Sequence, residues 1–246
     1  MTILALHGLG GSSASILSYL PKDLRSRVVA PDVRAHGASP LLGAGDDFAL
    51  EALAAECADA LAAEHDGSPV TIVGVSMGAA IGLRVALSGR FRIDRLAALR
   101  PSFTLESLPA NLAVFPVIAE LLERHGAKGA LAALRASGPY DAVRSISPVG
   151  ATALESQVTQ QLAWERRVRL LEIPRNRAYR PGELGALGAA SVVLASPRDP
   201  VHPLHVAEEW AAGLGCRMLV SPARDDGAAA VMAWYREQLG SFLTGL

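Results

Sequence analysis

The 246-residue chain is half apolar and carries 23 basic against 24 acidic residues, a net charge of −1. That length accommodates one domain with a sizeable core, and the balanced charge gives no sign of a nucleic-acid or anionic-membrane partner. No stretch reaches the about 18 uninterrupted apolar residues of a membrane span, and no charged n-region or small-residue cleavage site marks a secretory signal. Arginine outnumbers lysine 21 to 2, which fits anion recognition and a genomic codon bias equally well. Cys57 and Cys216 fall in a predicted helix and a predicted strand, so they read as buried free thiols of a reducing cytoplasm.

Residues 2–6 are apolar enough for a short buried strand, followed by the turn Gly8-Leu9-Gly10-Gly11 and a helix near 13–20. A second strand at 27–30 ends at Pro31-Asp32. The segment 46–66 reads as a helix, capped by Asp46 or Asp47 and stopped by Gly67. Residues 69–74 form a clear buried strand, 77–88 a helix of small residues, and 93–100 a further strand. Two late strands, 191–195 and 216–220, enclose a helix at 203–213 that starts on Pro203. A last helix spans about 228–243. Strands alternating with helices predict a parallel sheet covered on both faces. Residues 102–186 break the alternation with helical stretches at 117–125, 127–136 and 152–172. A single crossover needs far fewer residues, so 102–186 is expected to be a helical cap, with 1–101 and 187–246 as the core.

Gly74-Val75-Ser76-Met77-Gly78 has the G-x-S-x-G spacing of a nucleophile elbow. A serine at a sharp strand-to-helix turn projects its hydroxyl above the sheet, and the flanking glycines let neighbouring elements close in. The helix that follows aims its N-terminus at the site. His7-Gly8-Leu9-Gly10-Gly11 ends the first strand, and Pro31-Asp32-Val33-Arg34-Ala35-His36-Gly37 follows the second. With these three motifs in order, the chain resembles the serine α/β-hydrolase fold family, departing from its usual glycine at Ala35. It looks like a trimmed member, with about six mainly parallel strands, helices on both faces and an inserted helical cap.

The resemblance implies Ser76 as nucleophile and the Leu9 and Met77 amides as oxyanion donors. His7 and His36 would be structural. Asp199, in Ser196-Pro197-Arg198-Asp199-Pro200, lies where the family places its acid, whose task is to orient a histidine. The family's histidine follows the last strand, yet none of the six here lies beyond His205. Ala230 is the expected slot of the missing base, with Ala228 and Ala229 as neighbours. Three explanations stay open. The histidine was replaced by alanine to capture a ligand, the chain is a natural pseudoenzyme, or His202 or His205 acts from the acid loop.

The implied parent activity is hydrolysis or acyl transfer on an ester, thioester or related carbonyl of a small apolar molecule, disabled here by the lost base. The alternative is a non-catalytic receptor on the same scaffold. No metal or organic cofactor is implied. Arg166, Arg167, Arg169, Arg175, Arg177 and Arg180 crowd into fifteen residues and read as a solvated face. Their other reading is a dock for an anionic handle such as a CoA- or carrier-linked acyl group. Phe103, Phe115, Tyr140 and Trp164 are candidates for apolar packing under the cap.

Overall fold

The computed structural model describes residues 1–245. Six strands form one parallel sheet: β1 (Thr2–Leu6), β2 (Val28–Val29), β3 (Val70–Val75), β4 (Ile93–Leu99), β5 (Ala190–Ala195) and β6 (Arg217–Val220). Their order across the sheet is β2-β1-β3-β4-β5-β6. Pairing runs from Thr2 opposite Val70 through Leu6 opposite Gly74, and from Ala97 opposite Val192 on the far side.

Alternation along each strand divides the core into two layers, because successive side chains point to opposite faces. Ile3, Ala5, Val73, Val75, Val192 and Leu194 face one way, onto Ile16 of α1 (Ser13–Leu17) and onto Tyr235 and Leu239 of α9 (Ala228–Thr244). Leu4, Leu6, Ile72, Leu96, Val193 and Ala195 face the other. That layer packs on α2 (Leu50–Glu64), α3 (Met77–Leu87) and α8 (Leu204–Leu214). Burial of both faces explains why the strands read as continuous apolar runs.

Two local departures from the sequence reading have physical causes. The expected helix at 46–66 is a short turn, Gly45–Phe48, followed by α2 beginning at Leu50. Neither aspartate caps α2. The Leu50 amide donates instead to Asn176 Oδ1 at 3.0 Å, from a residue 126 positions away.

Between β4 and β5 no strand forms. This stretch holds α4 (Val114–Arg135), α5 (Gly138–Ile146), α6 (Pro148–Thr159) and α7 (Val168–Glu172). α4 is broken at Gly126, whose φ of 63° is open to glycine at little cost. α5, unforeseen from the sequence, is started by Ser137, whose hydroxyl accepts from the Tyr140 amide, with Pro139 in its first turn. Residues 160–167, expected as helix, form a turn between α6 and α7. Both cysteines are free, and burial pushes the Cys57 thiol up to about 12. Among the described residues no helix is long and apolar enough to cross a membrane.

Candidate active site

β3 runs directly into Ser76, whose backbone sits at φ 55° and ψ −113°. Such a conformation costs an L-residue on the order of 1–3 kcal/mol and persists only where the surroundings enforce it. Here the Ser76 amide is tied to Leu99 O at 2.9 Å. α3 also lies so close to β1 that a Cβ on Gly78 would fall 2.1 Å from Leu6 O. A Cβ on Gly74 would meet Gly78 O at 2.3 Å, so both glycines of the motif are dictated by contact. Arg100 (φ 43°) and Arg198 (φ 55°) are strained too, so strained residues stand just beyond β3, β4 and β5 at one edge of the sheet.

The His7–Gly11 loop presses on the serine. A Cβ on Gly8 would sit 3.4 Å from Ser76 Cβ. His7 Nδ1 donates to Gly8 O (2.9 Å), and Nε2 accepts from the Val33 amide (3.1 Å), which fixes the neutral tautomer. Burial lowers its pKa, and His36 beside it is held still lower by burial and by Arg169. Both histidines are spent on structure. Among the described residues, the amides of Leu9 and Met77 donate to no protein acceptor.

Ser76 Oγ lies 2.8 Å from Ser102 Oγ. The serine opens into a cavity of about 130 Å³ whose wall also carries Asp199, His202, Arg100, Arg224 and, from α4 and α6, Phe115 and Leu154. A larger groove of about 760 Å³ runs along α8 beside Tyr179 and His205, but it holds neither Ser76 nor Asp199. The smaller cavity, which holds both Ser76 and Asp199, is the candidate site.

A model of the α/β-hydrolase fold matches residues 2–122. Solved structures extend the likeness over the remainder. An esterase from Thermogutta terrifontis is 19% identical with a TM-score of 0.71, over 98% of this chain and 90% of its own. The chain has the α/β-hydrolase fold. MenH from S. aureus superposes with a TM-score of 0.72 at 16% identity, over 99% of this chain and 94% of that one. Est816, described as an N-acyl homoserine lactone degrading enzyme, gives 0.70 at 16% identity, over 98% and 93%. A search of curated proteins returns no match in sequence.

In an α/β-hydrolase the acid follows one strand and the histidine follows the last. Asp199 lies beyond β5, and its carboxylate is buried and crowded. Its Oδ2 accepts from Arg100 Nη1 and Arg224 Nη1, each at 3.2 Å, and lies 3.0 Å from His202 Nδ1. The imidazole is in contact but misaligned, since Nδ1 makes no directed hydrogen bond. Burial alone would raise the Asp199 pKa. In acid, where His202 becomes protonated, its charge together with those of Arg100 and Arg224 outweighs burial and holds the carboxyl well below the usual range. Burial lowers the pKa of His202, Asp199 pulls it up, and the two arginines push it down again. The net direction is downward, so His202 is neutral near pH 7 and the arginines carry the charge that meets Asp199.

After β6 the chain sends Arg224 to the acid, and Ala230 takes no part. Ala230 sits in the first turn of α9, exposed and off the cavity wall, as are Ala228 and Ala229. Of the residues after β6, it is the turn Arg224–Asp226 that reaches the acid, through Arg224, while α9 starts beyond it. His205 lines the distant groove.

Sequence reasoning also missed Arg100 and Ser102. Their signal was position alone, just past a strand at the carboxyl edge where such sheets build sites. Of the aromatics, Phe115 alone lines the cavity. Trp210 Nε1 donates to Phe103 O in the core, Tyr140 binds Glu155, and Trp164 is exposed under Arg167.

The arginine cluster is not a uniform solvated face. Arg166 and Arg169 are buried, donating to Gly37 O, Ser39 O and Ala35 O, and so pin the helices to the 35–39 turn. Arg167 pairs with Glu123, and Arg175, Arg177 and Arg180 are exposed.

Proposed function

We propose that this chain is a serine hydrolase acting on a small ester or thioester, with Ser76 as nucleophile and the Leu9 and Met77 amides as oxyanion donors. The helices α4–α7 serve as a cap over the site. The observation that carries this reading is the strained Ser76 backbone, which delivers the hydroxyl to a cavity lined by Leu9, with the Met77 amide next in the chain at the start of α3. Donors fixed in advance at that point stabilise the charge of a tetrahedral intermediate. The esterase relatives in structure support the same class of substrate.

Serine needs a neighbouring base to attack. His202 is the only imidazole on the cavity wall, it touches Asp199, and it is neutral. In this reading it accepts the Ser76 proton once the hydroxyl leaves Ser102. Its misalignment and the two arginines on Asp199 make it a weak stand-in, so turnover is slow. Oxyanion hole and binding without a base still leave about 10³–10⁴ of acceleration over water.

Fluorophosphonate labelling tests the proposal. Ser76 is expected to be labelled slowly, Ser76→Ala not at all, and His202→Ala at least about tenfold more slowly than the parent chain. Labelling that survives Ser76→Ala refutes the nucleophile. Labelling indifferent to His202→Ala removes the stand-in base. A second reading, a receptor on a silent hydrolase scaffold, is favoured by Asp199 being committed to arginines. Total absence of labelling decides for it.

A further inference from the structure

Beside the catalytic cavity lies a second chamber of about 300 Å³, between the His7–Gly11 loop, α1 and α6. The two spaces adjoin, both being lined by Gly8, Leu9, Val75, Arg100, Gln157 and Arg224. No aspartate or glutamate lines the second chamber, and its one histidine, His7, is held neutral by burial. Its charge therefore comes from two guanidinium groups.

Those guanidinium groups are incompletely used. Arg100 is buried, with Nη1 on Asp199 and Nη2 on the Tyr19 hydroxyl at 3.1 Å, while its buried Nε has no partner. Arg224 gives only Nη1 to Asp199, and among the described residues its other side-chain donors bind no protein acceptor. An orphaned donor on a buried cation is costly, and planar guanidinium forks match oxyanions in geometry. Two arginines against one aspartate leave one positive charge, which a single carboxylate neutralises and a dianionic phosphate would overshoot.

We propose that the chamber receives a carboxylate of the substrate, held by Arg100 and Arg224. The favoured substrates are then esters or thioesters that carry one free carboxylate in addition to the bond that is cleaved. This rests on the serine hydrolase reading above for the reacting end, while the anion site stands on its own geometry.

Calorimetry on the Ser76→Ala chain tests binding without turnover. The probes are the monomethyl esters of succinate, glutarate and adipate, each against its uncharged dimethyl ester. At least one monoester is expected to bind tenfold or more tighter than its diester. That preference should collapse in Arg224→Gln and weaken with added salt. Equal binding of monoester and diester overturns the proposal without need of any arginine variant. Stronger competition by inorganic phosphate than by acetate overturns the choice of carboxylate. Fluorophosphonate labelling of the unaltered chain separates the two claims. Labelled Ser76 with no monoester preference sinks only this inference. A monoester preference with unlabelled Ser76 sinks only the hydrolase reading.

Discussion

At Asp199 three donors compete for one carboxylate oxygen, and the two that are always charged win. Arg224 reaches the acid from the turn after the last strand, the place from which a hydrolase of this fold delivers its histidine. Replacing the guanidinium there with an imidazole should free Asp199 to orient a base. Arg224→His is expected to raise hydrolysis of 4-nitrophenyl acetate by about 10²-fold or more, whereas Ala230→His, exposed on α9, should leave it unchanged. Equal rates in both variants would place the missing base elsewhere. Ser76 and Asp199 were legible because their motifs carry the local backbone that places them. Arg224 was not, because its role depends on how far a loop of ordinary composition folds back. Arg100 hid for the same reason, being one arginine among 21.

The Arg224–Asp226 turn binds two different parts of the molecule, the loop after β5 and the start of α6, with three consecutive side chains. Arg224 holds Asp199, Asp226 pairs with Arg198, and Asp225 seizes the start of α6. Asp225 Oδ2 accepts from Ser147 Oγ at 2.7 Å and Oδ1 from the Val149 amide at 3.0 Å. Burial alone would raise the Asp225 pKa, but the Val149 amide and the Ser147 hydroxyl lower it. The tie is therefore present above the unfolded carboxyl pKa and is lost as the pH falls through the folded one. Asp225→Ala should cost about 1–2 kcal/mol and speed amide hydrogen exchange at residues 147–151. Unchanged exchange there would show that α6 needs no such anchor. Boundaries of this kind escape a sequence reading: the amide at the start of α2 is capped by Asn176, and no local pattern announces a cap 126 residues distant. Strands, in contrast, were readable almost to the residue, since burial on both faces leaves an unbroken apolar run.

On the acid side of neutrality, the shifted histidines and carboxylates couple ionisation to folding with one sign. His7, His36 and His202 all have pKa values lowered chiefly by burial. The unfolded chain protonates them below about 6.5 while the folded chain resists, so stability falls as the pH drops through that value. Asp32, Glu155 and Asp199 have depressed carboxyl values, Glu155 at about 2 through its bonds to Arg135 and Tyr140. Their contribution is complete above about pH 4 and is lost below it. The urea midpoint should decline in two stages, first between pH 7 and 5 and then below 4. A midpoint flat down to pH 5 would mean that the buried histidines are already charged in the native state. The parallel sheet of six strands and the helical excursion between β4 and β5 were both foreseeable from the spacing of apolar runs, whereas the order of strands across the sheet was not read. The seam between that excursion and the sheet was not, because Arg166 and Arg169 look like solvated residues yet end against backbone carbonyls.

One contact across that seam bears on how such a protein can be re-engineered. Gln157, on α6, donates from Nε2 to Leu9 O at 3.1 Å while its Oε1 faces Arg169. It fills the space beside Gly10, where a Cβ would come within 2.1 Å of Nε2. The His7–Gly11 loop beside Ser76 is thus braced by a residue from outside the sheet-bearing core. In a chimera that grafts foreign helices between β4 and β5 to change substrate range, that brace disappears with the old helices. The helices between β4 and β5 and the loop beside Ser76 are not separable modules, and any transplanted segment must bring its own donor to Leu9 O.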